Sequence, residues 1–374
     1  MFYHLILTDS CNLSCRYCRG KLLDYPEPAF QEREFEIDPE LPAEFSADLD
    51  ELYIFLAKDP EPVLTFYGGE PLLRADLIDR ILTEAPVQRF MLQTNGLLLN
   101  RLTTASVNSF ETILISIDGP RSVTDANRGV GVYDRVVANA RSIMDGGFPG
   151  ELIARMTVAE GNDIYRSAMF LTRNDEFSWP ALHWQLDAGF FGDYQVRDFA
   201  RWIQESYNPG ISRLVEAWVT AMEETGRVLR WYPFLDTMGD LLLERETRLR
   251  CGSGYANYSI MTNGRIAPCP AMIGMKEYYL GSLRQTDPGA LRTVDVSGPC
   301  DSCDIRGFCG GRCLYSNIVK QWPEKGRIVV CDTVRHLHGV LTDALPRVRK
   351  ILYDHTISIE DFSHTKYNGC EIIP

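Results

Sequence analysis

The chain has 374 residues, 45% of them apolar and 24% charged, which supports one large domain, a smaller one and an ample core. A formal net charge of −13, with no concentrated run of Lys and Arg, argues against nucleic acid as substrate, because the mean field repels a phosphate backbone. No stretch is apolar for long enough to span a bilayer, and the opening Met1–Asn12 lacks the basic region and cleavage site of a secretory signal, so a cytoplasmic protein without a membrane partner is expected.

To about residue 190 the chain alternates short apolar runs with amphipathic stretches. Strands are predicted at Tyr3–Thr8, Val63–Tyr67, Phe90–Gln93, Ile113–Ile117, Leu152–Val158 and Leu182–Leu186. Helical patterns at Leu72–Thr83, Tyr133–Met144 and Ile164–Leu171 lie between them. Alternation of this kind implies parallel strands joined by helical crossovers, an α/β fold, and six units make an open, partial (β/α)6 barrel. Chemistry in such barrels gathers at the C-terminal strand ends. Residues 191–249 change character: Phe199–Tyr207, Ile211–Glu224 and Phe234–Glu246 have helical periodicity, and Trp202, Trp218 and Trp231 read as core of a helical bridge. From residue 250 to about 335 the pattern is short and loop-rich. Tyr258–Pro268 reads as a hairpin turning at Asn263-Gly264. Residues 336–374 then form a terminal helix, expected at Val334–Leu352, and a polar tail.

Eleven cysteines are too sparse for a disulfide scaffold, yet ten fall within residues 11–18 and 251–331. Clustered cysteines without a disulfide framework read as metal ligands. Cys11-Asn-Leu-Ser-Cys15-Arg-Tyr-Cys18 supplies three thiolates where a four-iron cubane normally takes four. One iron stays open, and the amino and carboxylate groups of S-adenosylmethionine can fill that vacancy. Tyr67-Gly-Gly-Glu-Pro71 after the second strand offers close backbone approach and an acidic side chain for an ammonium. Gln93-Thr-Asn95-Gly96 ends the third strand, and Ser116-Ile-Asp118-Gly119-Pro120 ends the fourth.

In this order and on these elements, the triplet and the later segments resemble the radical S-adenosylmethionine (SAM) superfamily. The resemblance implies that Cys11, Cys15 and Cys18 hold a [4Fe-4S] cluster, with Tyr17, Gly68, Gly69, Glu70, Ser116, Asp118 and Arg128 around the cofactor. Arg128, in Asn-Arg-Gly, matches the arginine that often meets the cofactor's carboxylate. The second window, Cys251, Cys269 at the end of a Gly-x4-Cys segment, Cys300-x2-Cys303-x5-Cys309-x3-Cys313 and then Cys331, resembles the SPASM extension, which carries two auxiliary [4Fe-4S] clusters. Seen alone, Cys300 to Cys313 would also suit a zinc knuckle. By the family's interleaved pattern Cys300, Cys303, Cys309 and Cys331 hold the outer cluster, and Cys251, Cys269 and Cys313 the inner one. The inner set is one ligand short: a non-cysteine side chain, Cys370 or a substrate thiolate could complete it.

The resemblance further implies hydrogen abstraction by a 5′-deoxyadenosyl radical, an electron donor such as a flavodoxin or ferredoxin, and an anaerobic setting. It favours a peptide or protein substrate, matured by oxidation or crosslinking of a side chain, with a separate carrier as a further candidate partner. A dehydrogenase of a small metabolite and, from another class, a non-catalytic zinc-binding adaptor are the alternatives. Formylglycine formation is disfavoured, because Pro270 stands directly after Cys269 where sulfatase-maturing members place an aspartate base. No catalytic base is assigned, although Asp187 ends the sixth strand.

Overall fold

The computed structural model describes residues 1–18, 35–369 and 373, arranged as two compact units. The first comprises residues 1–18, 35–154 and 252–295; the second comprises 155–251 and the described residues from 296 onward.

In the first unit lie β1 (Phe2–Ile6), β2 (Val63–Tyr67), β3 (Arg89–Thr94), β4 (Phe110–Ser116) and the start of β5 (Glu151–Val158), with β8 (Asn257–Ile260), β9 (Arg265–Ala267) and β10 (Gly281–Ser282). Another two strands, β6 (Ala181–Leu186) and β7 (Arg230–Trp231), lie in the second unit. The first-unit order is β10-β9-β8-β1-β2-β3-β4-β5, and in the second unit β5-β6-β7 follow one another. Pairing is parallel from β1 through β4, and also between β6 and β7. The run Val63-Leu-Thr-Phe-Tyr67 is buried along nearly its whole length, as a parallel strand covered on both faces requires. Phe66 stacks on Phe90 at 6.0 Å and meets Phe110 edge-on at 6.1 Å, tying β2, β3 and β4 through one aromatic core.

The hairpin forms as the sequence predicts, with Gly264 at φ +78° in its turn and Ile260 opposite Ile266. What the local pattern does not show is that β8 pairs in parallel with β1, from Phe2 opposite Asn257 to Leu5 opposite Ile260. His4 Nδ1 and Asn257 Oδ1, 2.9 Å apart, link the two strands through buried polar groups. The sheet is mixed: beyond the parallel β1–β8 pair, β9 runs antiparallel to β8 and β10 antiparallel to β9.

In the second unit Phe199–Trp202 runs through a π-helical turn at Ile203–Tyr207 into the helix Asn208–Thr225. Trp202, Trp218 and Trp231 are all buried; Trp218 and Trp231 both pack edge-on to Phe234. The terminal helix spans Glu324–Tyr353, ten residues more at its start than the pattern predicts. Its Arg347 reaches Glu216 at 2.6 Å and Glu223 at 2.8 Å on the Asn208–Thr225 helix. No described helix is long and apolar enough to cross a membrane.

A buried ion group ties this unit together. Arg250 donates through Nη1 to Asp236 and to Asp240 Oδ2 (2.8 Å), and through Nε and Nη2 to the Phe308 carbonyl at 2.8 and 2.6 Å. Arg250, Asp236 and Asp240 are each at most 4% exposed. Removing this buried cation leaves Asp236 and Asp240 with only the more exposed Lys366 and Arg245 as partners, so R250M is expected to cost about 3 kcal/mol of stability, read as a lowered Tm. Burial alone would raise the Asp236 carboxyl, but Arg250, followed by Lys366, brings it below its ordinary value. A depressed folded-state pKa gives stability that is present above the unfolded value and lost as pH falls through the folded one. The stability difference between wild type and D236N should therefore shrink on acidification below the usual carboxylate range, checked by denaturant melts across pH.

Candidate active site

Because β1 to β4 are parallel, their C-terminal ends share one edge of the first unit, and the predicted segments all sit there. Cys11, Cys15 and Cys18 follow β1, Gly68–Glu70 follow β2, Asn95 follows β3 and Asp118 follows β4. Burial raises the Cys11 thiol. It also pushes Cys15 up to about 11, against the lowering effect of Arg128, and the charges of Cys18 and Cys11 reinforce the rise. The three thiols thus lie within electrostatic reach of one another.

The glycines serve the stem of this cysteine loop. Gly69 N–H donates to the Thr8 carbonyl at 2.8 Å and Glu70 N–H to the Ser10 carbonyl at 2.8 Å. A Cβ on Gly69 would fall 2.2 Å from Ser10 O and 2.6 Å from Asp9 O; one on Gly68, at φ +146°, would fall 2.4 Å from Thr8 O. No side chain fits either contact.

Glu70 is fully buried, which raises its carboxyl pKa against three hydrogen bonds that favour the charged form. Its Oε1 accepts from Thr94 Oγ1 (2.7 Å) and Leu72 N (3.0 Å), and Oε2 from Asn95 N (2.7 Å). The carboxylate therefore joins the ends of β2 and β3. Asn95, assigned no role from the sequence, donates through Nδ2 to Asn12 Oδ1 at 2.7 Å and approaches Cys11 Sγ at 3.7 Å. The segment Gln93–Gly96 marks the strand end but not this contact, which spans 84 positions in the chain.

Asp118 and Arg128 face each other directly. Arg128 Nε and Nη2 donate to Asp118 Oδ2 and Oδ1 at 3.0 and 2.8 Å, a buried bidentate pair. Burial opposes the Arg128 charge, but Asp118 holds its pKa above the ordinary value. Tyr17 O–H donates to Asp118 Oδ2 at 2.9 Å, and the Arg128 guanidinium lies 5.4 Å from the Tyr17 ring. Arg16 N–H donates to the Asn127 carbonyl at 2.7 Å, so the cysteine loop is fastened to the helix Arg121–Arg128. Arg128 Nη1 has no protein partner among the described residues. Ser116, half-buried, ends β4.

The outer cysteine set assembles within the second unit. Cys300, Cys303, Cys309 and Cys331 act on one another electrostatically, and burial pushes Cys309 up to about 11. Cys331 sits on the Glu324–Tyr353 helix and not in a loop. Of the inner set, Cys251 and Cys313 belong to the second unit and Cys269 to the first. Cys269 and Cys313 are buried, Cys251 half-buried, and Cys370 lies outside the described residues. Asp187 does not stand free: Arg197 Nη1 donates to its Oδ2 at 3.1 Å and Arg197 Nε to Glu160 Oε1 at 2.7 Å.

Among the described residues, no three His, Cys, Asp or Glu side chains gather tightly enough for a single metal ion. A cubane presents separate iron corners to separate thiolates, and the soft, mutually interacting thiols of the first and outer sets fit that donor chemistry. With a buried alanine methyl aimed at Ser10 O, G69A is expected to lose the first cluster, about four irons per chain, while keeping its fold by circular dichroism. N95A, which removes a donor beside Cys11, is expected to weaken cluster retention about 10–100-fold, measured by iron loss to a chelator.

Residues 5–164 match the model of the Radical SAM superfamily. An uncharacterized protein of Archaeoglobus fulgidus is 26% identical over 363 residues, covering 92% of this chain and 82% of that protein. An AdoMet-dependent heme synthase of Oleidesulfovibrio alaskensis is 27% identical over 334 residues, covering 82% of this chain and 80% of that one. Among solved structures, native anSMEcpe with bound AdoMet superposes with a TM-score of 0.69 at 16% identity, over 95% of this chain and all of that one. The same protein with AdoMet and the Cp18Cys peptide gives 0.67 at 16% identity, over 95% and 99% of the two chains. At such identities the likeness is one of fold.

Proposed function

From a Radical SAM superfamily domain over residues 5–164, we propose that this chain is a SPASM-type enzyme that oxidises or crosslinks a side chain in a peptide or protein. The observation that carries the radical chemistry is the meeting of Cys11, Cys15, Cys18, Gly68–Glu70, Asn95 and the Tyr17–Asp118–Arg128 group at one strand edge. When bound there, a [4Fe-4S] cluster supplies one electron to the sulfonium of S-adenosylmethionine, yielding methionine and a 5′-deoxyadenosyl radical that takes a hydrogen atom from the substrate.

The residues around it bind and orient. Cys11, Cys15 and Cys18 would hold that cluster, three thiolates leaving room for the cofactor's amino and carboxylate groups. Asp118 fixes the Arg128 guanidinium by two bonds, leaving Nη1 for a carboxylate. Gly68 and Gly69 let the end of β2 pack against the stem of the cysteine loop, and the buried Glu70 braces that edge through Leu72, Thr94 and Asn95. Cys300, Cys303, Cys309 and Cys331 would hold an outer auxiliary cluster, and Cys251, Cys269 and Cys313 an inner one. A flavodoxin or ferredoxin would supply the electron.

A peptide substrate is supported by the fold shared with a structure that contains bound peptide. A second reading, a small-metabolite substrate, is favoured by the heme synthase that aligns along most of both chains. After anaerobic purification and reconstitution, about twelve irons per chain are expected. Reduction with S-adenosylmethionine should give 5′-deoxyadenosine, abolished by C11A/C15A/C18A. Zinc in place of iron, or deoxyadenosine undiminished in that variant, overturns the radical reading. Peptides encoded beside the gene and iron porphyrins, assayed in parallel for deuterium transfer into deoxyadenosine, separate the two substrate readings.

A further inference from the structure

The outer cysteine set carries a shell of donors. Asn317 Nδ2 donates to the Ser297 carbonyl at 3.0 Å and reaches Cys300 Sγ at 3.5 Å. Arg335 Nη2 lies 3.5 Å from Cys303 Sγ, while Nη1 donates to Asp304 Oδ2 at 2.9 Å. Arg306 pairs with Asp301 at 2.8 Å, and Asp332 adds a negative charge beside Cys331. Arg335 and all three acids are exposed, so solvent screens their charges.

Arg312 is different. It is 8% exposed and held at φ +54° in the turn Gly310-Gly311-Arg312 that leads into Cys313. That turn is tightly confined: a Cβ on Gly310 would fall 1.9 Å from the Arg248 carbonyl, and one on Gly311 2.5 Å from Val296. Among the described residues its guanidinium has no hydrogen-bond or ion-pair partner, and its Nε is buried without one. Arg312 lies in the turn between Cys309 and Cys313, its backbone N–H donating to the Cys309 carbonyl at 3.5 Å, and its charge acts on the buried Tyr207 hydroxyl as well as on the thiols of Cys309 and Cys331. A buried guanidinium without a counter-charge is strongly unfavourable. Four thiolates around a cubane carry net negative charge, which is the missing partner. At the first cysteine set, by contrast, Asp118 already engages Arg128 twice, and Asn95 is a neutral donor.

We propose that Arg312 is the buried counter-charge of the outer cluster and, with Arg335 and Asn317 at its rim, raises that cluster's reduction potential so that it accepts one electron. Net charge and hydrogen bonds to sulfur are the levers by which a protein sets such a potential. The uptake is one electron with no proton. Its source is a substrate radical that becomes a closed-shell product by losing one electron and one proton, the proton passing to water. The inference rests on the three-cluster reading above.

The test is a redox titration of the anaerobically reconstituted full chain, followed by electron paramagnetic resonance and with iron and sulfide counted for every sample. R312M is expected to lower the midpoint of one auxiliary cluster and leave the N-terminal one unmoved. R312K, which keeps the charge, should stay near wild type, and N317A should give a smaller fall. Loss of about four irons from R312M but not from R312K supports the same assignment. A fully loaded R312M with every midpoint at the wild-type value overturns it, as does R312K behaving like R312M. Wild type holding only about four irons removes the three-cluster reading itself, an outcome separate from any result with the variants.

Discussion

The first unit depends on how closely two backbones approach. The chain leaving β2 lies against Thr8, Asp9 and Ser10, the stem of the cysteine loop, so closely that a single methyl at residue 69 would sit 2.2 Å from a carbonyl oxygen. Two main-chain hydrogen bonds at 2.8 Å close the contact. The cysteine loop is thereby held from one side by backbone alone, which leaves the side chains of the segment free to work elsewhere. Glu70 uses that freedom to join β2 to β3, and Asn95 at the end of β3 returns the link to Asn12 and Cys11.

A second fastening comes from β4 and the short helix after it. Asp118 accepts from Arg128, Tyr17 and Asn127, so a carboxylate at a strand end organises an aromatic ring from within the cysteine triplet and a guanidinium from the helix. Such a pair is costly to bury unless every lone pair is used, and here the geometry is bidentate with two further donors. The result is rigidity at the strand edge proposed above to grip a small cofactor. Catalysis by radicals depends on holding one carbon near one radical and excluding others, and a prearranged frame serves that end.

How far the sequence predicts this arrangement follows from the range of the interactions. Strands β1 to β6 are legible because each is a compact apolar run of strand length, and a parallel sheet then places their C-terminal ends together. The hairpin at Asn263-Gly264 is legible because its turn is a local matter of positive φ. The helices Leu49–Leu56, Thr104–Asn108 and Arg121–Arg128 are not: they are short, and the last has little apolar character to set a period. Nor does pairing of β8 with β1 leave a trace, since the partners stand some 250 positions apart and no local pattern encodes it. Asn95 and Arg250 act across 84 and 58 positions, also beyond the reach of a local pattern.

The cysteines mark a further boundary of what spacing can convey. Intervals such as Cys300-x2-Cys303 carry a resemblance to a ligand set, and the assignment of each thiol to one set or the other rests on that resemblance. They do not carry the electrical setting of that set, which depends on residues whose own local pattern is ordinary. Arg312 stands between a glycine pair and a cysteine and reads as one more polar loop residue. Only in three dimensions is it buried beside Cys309, Cys331 and Tyr207, with no carboxylate among the described residues to answer it. In the sequence the two cysteine sets differ in the number of thiols they offer. In the structure they also differ in whether a neighbouring buried arginine is already paired with a carboxylate, and for the one-electron role proposed above that second difference would bear on the potential.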